Sequence, residues 1–118
     1  MNDRVVIEGL TVFASIGVYD WEQEIKQRLV LDLEMLWDCQ HAAHYDDVQY
    51  CLNYAEVSQF ITDFINARAF KLIERLAYEI CDALQARFGI QALRLKVSKP
   101  TAVANATNVA VITTRGQL

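Results

Sequence analysis

A lysine stands directly before the only proline of the chain, at the end of the run Leu93-Arg94-Leu95-Lys96-Val97-Ser98. Proline biases its predecessor toward extended backbone and removes one donor. Lys99 is therefore held at a strand exit, where its amine can act as an acid, a base or a nucleophile. Three more polar residues sit in apolar settings: Glu22 beside Trp21, Tyr54 directly after Asn53, and Glu74 after Leu72-Ile73. Each has a plainer reading. Lys99 is a solvated lysine by a turn, Glu22 a loop acid, and Tyr54 a packed ring. Glu74 then only complements a helix dipole, with Lys71 and Arg75 beside it. If the fold gathers them, one lysine, one tyrosine and two carboxylates suffice for proton transfer at a polar heterocycle.

Other chemistries fare worse. His41 and His44 are three residues apart with Cys39 nearby, a spacing that offers metal ligands on a helix. The chain has no third histidine, so a three-histidine zinc site within one subunit is excluded, and no metal is expected. There is no G-x-S-x-G elbow, P-loop or dinucleotide-binding glycine fingerprint. A net charge of −4 with singly dispersed cations argues against nucleic acid. Three cysteines, Cys39, Cys51 and Cys81, form no CxxC pair and read as reduced thiols. At 118 residues and 53% apolar, residues 1–118 are expected to form one domain with its own core. No apolar run approaches the ~18 residues of a membrane span, and the first residues do not read as a secretory signal. The expected location is the cytoplasm.

The elements that must position these groups follow from periodicity. Residues 4–13 read as a strand, with a bend or bulge expected at Ser15-Ile16-Gly17-Val18. In residues 27–37, Leu29, Leu31, Leu33, Met35 and Trp37 share one face and Asp32 and Glu34 the other. These two strands predict a long antiparallel hairpin. Residues 38–44 predict a short helix capped by Asp38. Asn53-Tyr54-Ala55-Glu56 has the spacing of a capping box, followed by a stripe of Val57, Phe60, Ile61, Phe64 and Ile65. A second helix is expected from about Phe70 to Phe88, with Gly89 just past its end. Strands at 93–98 and 108–115 complete the order β-β-α-α-β-β. The expected class is α+β: a four-stranded antiparallel sheet with two antiparallel helices on one face.

Four stretches carry a resemblance. Ile16-Gly17-Val18-Tyr19-Asp20-Trp21-Glu22, Leu52-Asn53-Tyr54-Ala55-Glu56-Val57, Phe70-Lys71-Leu72-Ile73-Glu74-Arg75-Leu76-Ala77 and Val97-Ser98-Lys99-Pro100 resemble the signature segments of dihydroneopterin aldolase. They keep that family's order and spacing almost end to end. Thr101 departs from it, since the family commonly has glycine after the lysine-proline pair. The resemblance implies the tunnelling fold and a homo-oligomer, a tetrameric ring or two stacked rings forming an octamer, with active sites between subunits. It implies a pterin substrate, held by Glu74, by the backbone at Ile73 and by Tyr54 of an adjacent chain. Glu22 and Lys99 would face the substrate's side chain, with Lys99, Tyr54 and Glu22 as the catalytic group. The implied reaction is retro-aldol cleavage of 7,8-dihydroneopterin, with no cofactor, metal or Schiff base, and with C2′ epimerisation as a side reaction. Two other readings remain at this level: an epimerase of dihydroneopterin triphosphate, and a pterin-binding ring without catalysis.

Overall fold

Alternation along residues 27–36 builds the strand on which the rest of the sheet is laid. In the computed structural model, which describes residues 2–118, β1 (Arg4–Ala14), β2 (Gln27–Leu36), β3 (Leu93–Ser98) and β4 (Ala110–Arg115) form one sheet in the order β1-β2-β3-β4. Every neighbouring pair is antiparallel. Four helices punctuate the described residues: α1 (Asp20–Gln23), α2 (Gln40–Tyr45), α3 (Tyr54–Asn66) and α4 (Ile73–Phe88), with a 3-10 turn at Val48–Tyr50. The β-β-α-α-β-β order expected for the principal elements is the one found.

Leu29, Leu31, Leu33 and Met35 of β2 are buried, and they meet Leu93, Leu95 and Val97 of β3. Val57, Ile61 and Ile65 of α3, with Leu76, Ile80 and Leu84 of α4, close the core over that face. Burying each such aliphatic side chain is worth about 1.5–3 kcal/mol, so this shared layer is what holds helices to sheet. The two helices run antiparallel: Glu56, early in α3, lies 3.7 Å from Arg87 at the end of α4. Phe60 stacks on Phe64 and meets Phe88 edge-on at 5.6 Å. Asn53 caps α3, its side-chain oxygen accepting from the N–H groups of Ala55 and Glu56. Glu56 reaches Arg87 rather than back to the cap.

The bend expected at Ser15-Ile16-Gly17-Val18 is present, at Val18 after Gly17 with its φ of 142°. Other local features differ from the sequence expectation. A further bulge in β1 lies at Glu8-Gly9, which together oppose Asp32 between the pairs Ile7–Leu33 and Leu10–Leu31. Gly9 has φ 69° and donates its N–H to Asp32 Oδ1 at 2.9 Å. Helix α2 begins at Gln40 with Cys39 at its cap position, one residue later than a cap at Asp38 would place it. There the N–H groups of Trp37 and Cys39 are tied to Asp3, and Asp38 accepts from Gln40 across a local turn. The α4 helix begins at Ile73, not Phe70, because Phe70 is drawn into an extended bridge with Ile16. Finally, β4 begins at Ala110, two residues after Asn108, whose side chain donates to Ser98 Oγ at 3.1 Å. No helix among the described residues is long and apolar enough to cross a membrane.

Candidate active site

The chain beyond β1 runs beside the segment that leads into α4. The N–H of Phe70 donates to Ser15 O and that of Gly17 to Phe70 O, both at 3.0 Å. Gln23 locks this crossing with its side-chain amide, which donates to Gly17 O at 2.6 Å and Phe70 O at 2.9 Å. A cleft of about 380 Å³ opens there, walled by Ile16–Tyr19 on one side and Lys71–Glu74 on the other. Glu22, Lys99 and Val109 complete its lining.

Lys99 is positioned by its backbone. Its N–H continues the β3–β4 ladder by donating to Val109 O at 2.8 Å, and its carbonyl accepts from Ala102 N at 3.1 Å. That second bond closes a turn over Pro100-Thr101. Thr101 fits the turn without a positive φ, so the departure from the expected glycine leaves the strand exit intact. The amine then reaches Glu22 Oε2 at 2.9 Å, across 77 residues of sequence.

Glu22 belongs to the single-turn α1, and its carboxylate folds back to accept from Tyr19 N–H at 3.3 Å, the reciprocal arm of a helix cap. Gln27 donates to its other oxygen. The Glu22 side chain is only 9% exposed and that of Lys99 13%, so this ion pair is largely shielded from water. The hydrogen bond from Lys99 holds the Glu22 carboxyl below its ordinary value. Desolvation opposes that shift, and bonds from Tyr19 and Gln27 assist it. Room for the folded-back carboxylate comes from Gly17, whose φ is 142°; a β-carbon there would lie on the Glu22 carboxyl group.

Glu74 stands exposed in the first turn of α4, on the same cleft. Its neighbour Arg75 does not pair with it. Arg75 and Arg68 both bind Glu79, leaving Glu74 without an ion-pair partner among the described residues. No side chain caps α4, so its first-turn N–H groups have no side-chain acceptor. Ile73, the first residue of that turn, is buried against the cleft.

Tyr54 is elsewhere. It is 64% exposed at the start of α3, beside Ala42, Asp46, Asp47, Val48 and Cys51, none of which lines the Lys99 cleft. His41 and His44 join an aromatic cluster with Tyr45 and Tyr50. Among the described residues no group of three or more metal-ligating side chains gathers. Cys39, Cys51 and Cys81 are free thiols, and burial pushes Cys81 up to about 11. The fold thus brings Glu22, Ile73, Glu74 and Lys99 together and leaves Tyr54 apart. Gln23, Gln27 and the β-carbon-free space at Gly17 escaped the sequence reading, since an isolated glutamine near a strand carries no spacing signal.

A family model described as dihydroneopterin aldolase (FolB) matches residues 5–114. A dihydroneopterin aldolase of Haemophilus influenzae is 64% identical over 116 residues, 98% of each chain. One from Escherichia coli K12 is 50% identical over 114 residues, 97% of this chain and 93% of that protein. The crystal structure of the Escherichia coli enzyme in complex with neopterin superposes with a TM-score of 0.93 at 50% identity, covering 97% of this chain and 99% of that one.

Proposed function

Because the chain belongs to the dihydroneopterin aldolase family, we propose that its cleft takes 7,8-dihydroneopterin and cleaves the side chain of that pterin to 6-hydroxymethyl-7,8-dihydropterin and glycolaldehyde. One observation supports the site assignment above the others. Lys99, Glu22 and Glu74 line one cleft, and the Lys99 amine is held 2.9 Å from the Glu22 carboxylate.

Glu74 anchors the pterin. Its carboxylate has two acceptor oxygens and no competing cation among the described residues. A pterin presents a ring N–H and an exocyclic amino group side by side in one plane, the donor pattern a carboxylate accepts as a bidentate pair. The uncapped backbone at Ile73 completes the grip. The trihydroxypropyl chain then points toward Glu22 and Lys99.

The dihydropterin carries its own electron sink, the C6=N5 imine, so no covalent lysine adduct is needed. With its extra proton passed along the hydrogen bond to Glu22, Lys99, through a water, takes the proton of the C2′ hydroxyl. The C1′–C2′ bond breaks, glycolaldehyde leaves, and the electron pair moves into the imine to give an enamine. Protonation of C1′ restores the imine and completes the product. Tyr54, supplied by a neighbouring copy, assists that protonation. Acid–base groups of this kind contribute ~10²–10⁴-fold each. If the aldehyde re-adds before leaving, C2′ inverts, which gives epimerisation toward dihydromonapterin. A triphosphate ester is disfavoured as substrate: Lys71 is the one cation on the cleft besides Lys99, and Lys99 is engaged by Glu22.

Assembly enters the proposal through the sheet and through Tyr54. Strands β1 and β4 are its two edges, with unpaired backbone groups that a second copy can pair. Such a ring, single or stacked, brings another chain's α3 to the cleft. Incubation with 7,8-dihydroneopterin, followed by chromatography of the pterins and an aldehyde assay, tests the whole reading. Equimolar hydroxymethyl-dihydropterin and glycolaldehyde are expected. Tight neopterin binding with neither product would reduce the protein to a pterin carrier.

A further inference from the structure

Both protons of the Gln27 side-chain amide are committed. Nε2 lies 2.6 Å from the Ile16 carbonyl oxygen and 3.3 Å from Glu22 Oε2. These partners only accept, so the NH2 group must face them; reversed, the amide oxygen would meet a carbonyl and a carboxylate. Gln27 is the first residue of β2 and pairs with Ala14 of β1, so its stem is fixed in the sheet. Glu22 and Lys99 are less constrained. One rides on a helix of a single turn, and the other has four carbons between backbone and amine. A carboxylate and an amine attracted only to each other can move together as a pair. Tyr19 N–H steadies Oε1 from within the same turn, while Gln27 is the donor from the sheet that holds Oε2, the oxygen Lys99 binds. Gln27 does not line the cleft, so it has no direct access to substrate.

We propose that Gln27 is a positioning residue for the cleavage reaction: its amide ties Glu22 Oε2 to the end of β1, and through Glu22 it sets where the Lys99 amine stands. The inference rests on the reading of Glu22 and Lys99 as the proton-handling pair. The same donor bond also helps keep Glu22 ionised, which preserves the acceptor that Lys99 needs.

The test places Gln27→Leu, of similar size without a donor, in the wild-type chain and in Glu22→Ala. In the wild-type background kcat is expected to fall ~10–10²-fold, the cost of displacing a reacting group by about an ångström. The Kd for neopterin by calorimetry should stay within about threefold, because ring binding is left alone. In the Glu22→Ala background the same substitution should change kcat by less than about twofold, since the intermediary is already gone. A structural role would lower both backgrounds alike, and that result overturns the proposal. So does an unchanged kcat for Gln27→Leu when Glu22→Ala is impaired. If Glu22→Ala itself turns over normally, it is the proton-handling reading that has failed, and the Gln27 inference falls with it. Gln27→Met is the second variant; should neither fold, the bond to Ile16 is the residue's purpose and the inference is wrong.

Discussion

Replacing Gly17 with alanine tests whether the cleft depends on a space only glycine leaves. The added β-carbon would occupy the position of the Glu22 carboxyl group, so the carboxylate has to move. When it moves it loses the donors that define it: Lys99 Nζ, Gln27 Nε2 and Tyr19 N–H. The backbone adds its own term. A φ of 142° is ill suited to an L side chain, and holding one there costs roughly 1–3 kcal/mol. For a chain of 118 residues each kcal/mol lowers Tm by about 3–6 °C, so the expected drop is ~3–18 °C. Turnover should fall further than stability suggests, by ~10²-fold or more, because an acid–base group is displaced. Steady-state cleavage of dihydroneopterin and thermal unfolding are measured on Gly17→Ala, Glu22→Ala and the double variant. The double variant should turn over no more slowly than Glu22→Ala alone. A Gly17→Ala protein with wild-type turnover would refute the reasoning, since the carboxylate would then be dispensable or differently placed.

Lys99→Ala should lower kcat by ~10²-fold or more while neopterin affinity by calorimetry barely changes, and undiminished turnover would remove the amine from the mechanism. Glu74→Ala should do the reverse, weakening neopterin ~10–10²-fold through loss of two charge-assisted hydrogen bonds; normal binding would show the anchor lies elsewhere. The Lys99 hydrogen bond holds the Glu22 carboxyl below its ordinary value in the folded protein. Its stabilisation is therefore complete above that value and is lost as pH falls below it through the folded pKa. Tm measured from about pH 6 to about pH 3 should fall less steeply in Lys99→Ala than in the wild type, and parallel curves would contradict the pairing. Mixing Tyr54→Ala with Lys99→Ala, after dissociation and reassembly, should restore activity neither has alone, because some shared sites then carry both intact residues. No restoration at any mixing ratio would place the tyrosine outside the site.

What the sequence discloses here depends on whether a residue's role follows from its own neighbours. The β2 stripe of Leu29, Leu31, Leu33 and Met35 is legible because burial on a sheet face forces period two. The Asn53 cap and Gly89 are legible because helix ends need a local acceptor and a left-handed residue. Lys99 stands out because proline restricts its backbone. By contrast, Phe70-Lys71-Leu72 continues the apolar rhythm of α4, yet its backbone is taken by Ser15 and Gly17, more than fifty residues earlier. Likewise Glu8-Gly9 interrupts an apolar strand with nothing to distinguish a bulge from a turn, until Asp32 of β2 supplies the acceptor for Gly9. Gln27 looks like any polar residue opening a strand. Its importance exists only once Ile16 and Glu22 are folded against it.

Those long-range bonds also account for the division of the site. The crossing of Gly17 with Phe70 joins the loop that carries Glu22 to the segment that begins α4, so the proposed pterin anchor and the proposed proton-handling pair belong to one hydrogen-bonded unit. Lys99 enters that unit from the β3–β4 connection, fixed by Val109. Relative placement of Glu74, Glu22 and Lys99 is thus set by backbone and carboxamide bonds within a single chain, before any substrate arrives. Tyr54 has no such connection. It begins a helix capped by Asn53, which bonds only within its own first turn, and its ring is largely exposed. The proposed reaction, which releases a small aldehyde and then protonates C1′, has reason to keep these parts separate. Under the proposed mechanism the rigid half would hold the pterin and draw off the hydroxyl proton, while Tyr54 from a second chain would close over the intermediate.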